Sequence, residues 1–200
     1  MFTHFATPAF SRKGRRQGLL LLALAVVFGL SPVAQAAEWK LVAEKSALTF
    51  TGTQMGEKFT GRFTRFDARI GLDPDHPEAA KIAATVDLAS AATGDRQRDG
   101  ALPEKDWFDV AKTPTATFVA KEVKRADKGF IATGDLTLRG VTRTIALPFT
   151  LEIDGKVAHA KGHADLLRNA FGVGQGDYSS DAWVAFQVGV DVDLVAERAD

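Results

Sequence analysis

The sequence contains no cysteine. That excludes disulfides, thiolate nucleophiles, cysteine metal ligands and a lipidated N-terminal cysteine, so the fold is held by packing and hydrogen bonding alone. An excess of positive charge is missing too, since 25 Lys+Arg stand against 25 Asp+Glu. Such a balance leaves no electrostatic footprint for nucleic acid. Internal repeats and low-complexity tracts are absent, and no G-x-S-x-G elbow surrounds Ser46, Ser90, Ser179 or Ser180. The GVGQG stretch at residues 172–176 lacks the Lys-Ser/Thr of a phosphate loop and reads as a flexible turn.

A long hydrophobic run is present once, and it is too short to span a bilayer. Arg12, Lys13, Arg15 and Arg16 precede the apolar residues 18–30, after which come Pro32 and the small-x-small sequence Ala34-Gln35-Ala36. That run rises only about 20 Å as a helix against a bilayer core of about 30 Å. The pattern is that of a secretory signal peptide over residues 1–36, cut after Ala36, which leads the protein out of the cytoplasm. Loss of its four basic residues leaves 21 Lys+Arg against 25 Asp+Glu, a mildly acidic chain of residues 37–200 sized for one domain with one core.

Beyond the signal, alternation of period two dominates. Ile82, Ala84, Val86 and Leu88 share one face of a strand; Ile145, Leu147, Phe149, Leu151 and Ile153 share another; Val184, Phe186, Val188, Val190, Val192 and Leu194 a third. Strands are expected near residues 46–53, 58–72, 81–89, 115–124, 130–139, 143–153, 156–168 and 182–196, separated by turns such as Met55-Gly56, Asp127-Lys128-Gly129, Arg139-Gly140 and Asp154-Gly155. Phe63 and Phe66 are three apart, which breaks the alternation and signals a bulge or bend. Eight antiparallel strands in meander order make either a barrel or a sandwich; strands this long argue for closure, which removes open edges.

Metal and acid-base sites find little support. His159 and His163 share a strand face, but their backbones are about 13 Å apart, and that face also carries Lys161 and Asp165. They read as exposed, with no metal site. Asp73-Pro74-Asp75-His76-Pro77 reads as a turn loop. Carboxylates crowd only in TGDRQRDGALPEKDWFD, where Asp95, Asp99, Glu104, Asp106 and Asp109 lie among Arg96, Arg98 and Lys105. Mixed charges of this kind belong to a solvated helix face, with Leu102, Trp107 and Phe108 packing over a barrel end.

Several motifs together resemble the YceI-like family, periplasmic lipocalin-like proteins regarded as polyisoprenoid or lipid binders. They are Ser46-Ala47-Leu48-Thr49-Phe50, Gly61-Arg62-Phe63 with Phe66, Thr93-Gly94 with Arg98-Asp99 and Leu102, and Trp107-Phe108-Asp109 with Pro114 and Phe118. Gly134-Asp135-Leu136-Thr137-Leu138-Arg139-Gly140-Val141 and Arg168-Asn169-Ala170-Phe171-Gly172 complete the set. Where the family often has a His after its first strand, this chain has Thr53-Gln54-Met55-Gly56, so no role of that His is carried over.

The resemblance implies an all-β fold, an eight-stranded antiparallel lipocalin-like barrel with a short helical segment between strands 4 and 5. It also implies a long amphiphilic ligand in an apolar tunnel, with no catalysis and no cofactor. Candidate ligand-binding residues on the apolar faces are Phe50, Phe63, Phe66, Ile70, Val86, Leu88, Phe118, Leu136, Leu138, Leu147, Phe149, Phe171, Phe186 and Val188; the same faces would equally fill a solid core. Leu102, Trp107 and Phe108 join them from the cover. Arg98 and Arg168 could meet a polar head, or pair with Asp99 and Asp165 or their neighbours. Residues 174–178 and the strand from Trp183 are similar to members linked to membrane b-type cytochromes, which adds such a cytochrome as a partner to consider, with the chain as monomer or homodimer.

Overall fold

The computed structural model describes residues 37–199, so the expected signal peptide lies outside the described residues. Eleven strands form one antiparallel sheet: β1 (Glu38–Leu41), β2 (Ala47–Gln54), β3 (Glu57–Phe63), β4 (Phe66–Gly71), β5 (Lys81–Asp87), β6 (Ala91–Ala92), β7 (Thr115–Ala126), β8 (Gly129–Leu138), β9 (Val141–Asp154), β10 (Val157–Leu167) and β11 (Gln187–Arg198). The neighbours run β1-β4-β5-β7-β8-β9-β10-β11, and β11 pairs back onto β1, which closes an eight-stranded barrel. β2, β3 and β6 continue from β11 in the same sheet, β2 pairing with Gly189–Asp193 of β11 and β3 with β6 through Arg62 and Phe63. The expected barrel is therefore present, and the sandwich is not.

Turn chemistry fixes the hairpin registers. Met55-Gly56 has φ of 51° and 85°, and Arg139-Gly140 has 52° and 73°. Two positive φ values in a two-residue loop match the right-handed twist of the flanking strands. The expected strand 58–72 is two strands: the chain breaks at Thr64-Arg65, where Asp87 N donates to Arg65 O (3.0 Å) and Thr64 N to Ser90 O (3.2 Å). This is the bend announced by Phe63 and Phe66. β5 bends in parallel through a 3-10 turn at Leu88–Ser90 into β6. Among the described residues the α-helix, α1 (Arg96–Ala101), lies between β6 and β7.

Two apolar clusters fill the interior. One gathers Trp39, Leu72, Val123, Phe130 and Phe149; its Trp39 indole donates to Leu72 O (2.9 Å), and its Phe130 and Phe149 rings stack at 5.5 Å. The other gathers Phe50, Leu88, Leu102, Phe108, Phe171 and Val173. β1, short and unforeseen in the periodicity, seals the Trp39 end by pairing with Ala196, Glu197 and Arg198. The residues after β6 cover the opposite end.

Candidate functional site: an apolar tunnel under a helical cover

The cover is assembled from local rules. Asp95 caps α1, its carboxylate accepting from Gln97 N (3.0 Å) and Arg98 N (2.9 Å), and Asp99 reaches back to the Thr93 amide (2.6 Å) and hydroxyl (2.7 Å). These donors hold both carboxyls below the ordinary carboxylate pKa: the Arg98 amide leads for Asp95, the Thr93 hydroxyl and amide for Asp99. After α1 the chain turns so that Leu102 and Phe108 are buried and Trp107 stands over the barrel end. Arg96, Glu104, Lys105 and Asp106 are exposed, as expected of a solvated side, while Asp95, Arg98, Asp99 and Asp109 are only partly so.

The 172–176 loop is not the flexible turn anticipated. Val173 is buried, and the Gly174 and Gln175 amides both donate to Asp106 O at 2.8 Å, which stitches this loop to the cover. Positive φ at Gly172, Gly174 and Gly176 supplies the tight path that this stitching needs.

Arg168 also departs from expectation. Arg168 follows β10 on the inward face of Ala164 and Leu166, away from the exposed Asp165. It is only 4% exposed, and it donates from Nε to Ala185 O (3.0 Å), from Nη1 to Val173 O (2.9 Å) and from Nη2 to Ser180 O (2.8 Å) and Val184 O (2.7 Å). Its guanidinium carbon lies 5.7 Å from the Trp107 ring and 5.2 Å from Phe186. Burial lowers its pKa from the ordinary arginine value, and the Asp181 charge opposes that shift. Arg98, for its part, pairs with a neighbouring carboxylate, Asp95 (3.8 Å).

Inside the barrel runs a cavity of about 300 Å³, at the lower end of ligand-pocket sizes and twice the roughly 150 Å³ void that stays dry and admits benzene. Its lining reaches from Val188 to Ala196 along β11, roughly 27 Å of strand. Among the expected residues Phe50, Phe63, Ile70, Val86, Leu88, Leu102, Trp107, Phe108, Phe118, Leu136, Leu138, Leu147, Phe149, Arg168, Phe171 and Val188 border it. Phe66 and Phe186 do not. Phe66 starts β4 directly after the Thr64-Arg65 break and remains half-buried off the cavity, while a bend before β11 turns Phe186 against Arg168.

The unforeseen lining residues explain why a space exists at all. Ala68, Ala84, Ala116, Ala132, Ala158, Ala160, Ala164 and Ala196 all face it. Inward strand positions in a filled barrel carry bulky side chains, so a wall of alanines leaves the middle unoccupied. The period-two pattern contained this signal: Ala158, Ala160, Ala164 and Leu166 alternate with the outward His159, Lys161, His163 and Asp165. Trp39 of β1 and Phe59 of β3 were also missed.

On the outer wall His159 meets Asp193 (2.6 Å) and His163 meets Asp191 (2.7 Å), with both imidazoles partly exposed. Among the described residues no group of three or more His, Asp or Glu side chains is arranged to hold a metal, and no helix is long and apolar enough to cross a membrane.

Comparison with known proteins matches this architecture. A UPF0312 protein of Pseudomonas syringae pv. tomato is 34% identical over 168 residues, covering 79% of this chain and 88% of the relative. BcnA of Burkholderia cenocepacia superposes with a TM-score of 0.75 at 31% identity, over 78% of this chain and 98% of that one. A polyisoprenoid binding domain from Saccharophagus degradans, implicated in plant cell wall breakdown, shares the fold at a TM-score of 0.61 and 18% identity, over 82% and 99% of the two chains. The family model for the YceI-like domain spans residues 39–196, from the tryptophan that seals one end of the barrel to the last alanine of the tunnel wall, and the chain belongs to that family.

Proposed function

We propose that the protein binds the apolar tail of a polyisoprenoid, quinone or similar amphiphilic lipid in the barrel tunnel, and carries or sequesters it in the periplasm without covalent chemistry. The observation that carries this reading is the cavity itself. Apart from Gly52 and Arg168, every residue lining it has a hydrocarbon or aromatic side chain. Each 100 Å² of lipid tail buried there contributes roughly 2.5 kcal/mol, so a tail needs no polar contact along most of its length. Membership of a family with a polyisoprenoid binding domain among its structural neighbours supports a lipid as the ligand. Export rests on the signal-like residues 1–36.

Two other readings draw less support. For an enzyme working through the carboxylates of residues 95–109, the central groups would have to move protons; Asp95 and Asp99 instead hold the cover together and are kept ionised by their amide and hydroxyl donors. For a docking module on a membrane b-type cytochrome, the suggestive residues 174–178 are already occupied: Gly174 and Gln175 tie to Asp106, and Tyr178 packs on Trp107 at 5.0 Å.

Titration with a fluorescent prenyl lipid tests the carrier reading. Wild type is expected to saturate, and Ala160→Phe, which places a ring in the tunnel, to bind at least about tenfold more weakly. Equal affinity in the two proteins would remove the tunnel from the account.

A further inference from the structure

Routes from solvent into the tunnel differ in what must break to open them. At the Trp39 end, β1 pairs with both β4 and β11, and the Trp39 indole donates to Leu72 O. At the covered end, the Gly174 and Gln175 amides donate to Asp106 O, Asp99 ties α1 back to Thr93, and Arg168 binds four carbonyls. Hydrogen bonds therefore shut both ends. The remaining route is sideways, through the wall.

Between β9 and β10 the ladder of that wall is incomplete. The two strands pair from Asp154 with Val157 to Phe149 with Gly162, where the register stops. Yet β9 stays paired with β8 as far as Val141, and β10 with β11 as far as Leu167. Residues 141–148 of β9 and 163–167 of β10 are thus each paired on one side and bare toward each other. Pro148 accounts for the place where the ladder stops. Its carbonyl oxygen lies 2.8 Å from the point a Cβ on Gly162 would occupy, so its backbone faces β10. A residue facing its partner in an antiparallel pair has to donate an N–H as well as accept one, and proline has none to donate.

This seam gives onto the tunnel. In the register set by the paired half, Leu147 stands opposite Ala164 and Ile145 opposite Leu166, and all four line the cavity. On the outside, Ala146, Pro148 and Leu167 are exposed among Thr144, His163 and Asp165. A second bare edge, that of β7 beyond Val119, offers no such passage, because the 3-10 turn Pro77–Ala79 packs against β7 with Pro77 buried. Along the seam only side chains close the wall. Side chains change rotamer quickly, whereas parting a paired strand requires local unfolding.

We propose that the seam is the mouth of the tunnel: an apolar chain enters and leaves sideways, between Ile145 and Leu147 of β9 and Ala164 and Leu166 of β10, while both ends of the barrel stay shut. This rests on the tunnel reading above.

The absence of cysteine makes the test clean. Ala146→Cys combined with Asp165→Cys places one thiol on each outer lip, and a bismaleimide with a reducible centre bridges them. Lys161→Cys with Asp193→Cys, bridged in the same way across the paired β10–β11 ladder, is the control. Stopped-flow mixing with the fluorescent prenyl lipid is expected to show association and release both slowed at least about tenfold by the bridge over the seam. The equilibrium affinity is expected to stay unchanged, since a closed route hinders both directions alike. Reducing the bridge restores the rates, and the control bridge leaves them as they were.

If lipid exchanges equally fast with the seam bridged and unbridged, or if the control bridge slows it as much, the seam is not the mouth and the tunnel reading stands. If the unbridged protein binds no lipid, both fail.

Discussion

Removing the Arg168 guanidinium would strand four carbonyl oxygens at once, those of Val173, Ser180, Val184 and Ala185. Arg168→Leu is therefore expected to destabilise the fold by about 3–5 kcal/mol, with Arg168→Lys less damaging because an ammonium can still serve up to three acceptors. Chemical denaturation checks both. This residue also marks what the sequence leaves illegible. Alternation through Ala164 and Leu166 sends Arg168 inward, away from the outward Asp165, but it does not tell that the acceptors waiting there are carbonyls of the irregular segment between β10 and β11. Phe186 fails for the same reason at the other end of that connection.

At the scale of elements, two features set the barrel's shape. Opposite Gly134 the β7 register shifts between Ala120 and Glu122, and a Cβ at Gly134 would lie 2.3 Å from Val119 O, so the two backbones approach too closely for any side chain. Gly134→Ala is expected to lower stability by about 1–3 kcal/mol in the same denaturation assay, because the obstacle is backbone and cannot swing aside. The cover is the second feature. Its anchors Leu102, Trp107 and Phe108 were readable as apolar residues in a charged run that must bury somewhere. Its stitching to the 172–176 loop was not, since backbone amides meeting the Asp106 carbonyl leave no mark on residue type. Trp107→Ala removes a ring from the covered end of the tunnel, and release of bound lipid in a stopped-flow exchange experiment is expected to accelerate. An unchanged rate would strip Trp107 of any gating role.

For the whole molecule, the long alternating strands carried the fold: eight of them with one apolar face each left a barrel or a sandwich, edge removal favoured the barrel, and the pairing of β1 with β11 closes it. Whether the closed barrel was solid or hollow depended on the inward alanines, which look unremarkable singly and matter only when a closed sheet brings them face to face. The outer wall sets the pH response. His163 has its pKa raised, chiefly by the Asp191 carboxylate. Its contribution to stability is full below the unfolded histidine value of about 6.5 and fades as pH rises through the higher folded value. Asp99 works in the opposite sense, since the Thr93 hydroxyl and amide lower its pKa. Its contribution is present above about 3.9 and is lost as pH falls through the lower folded value. Melting temperature against pH is thus expected to fall on both flanks, with Asp191→Asn flattening the alkaline step and Asp99→Asn the acid one.

The central claim is that the alanine-walled tunnel holds a prenyl-type lipid in the cell, and mass spectrometry of lipid extracted from the protein purified out of its native cells tests it most directly. The account predicts a lipid with an isoprenoid or comparably long apolar tail, about one per barrel, above the level carried by an unrelated barrel purified in parallel. An extract with no such lipid above that control would contradict it.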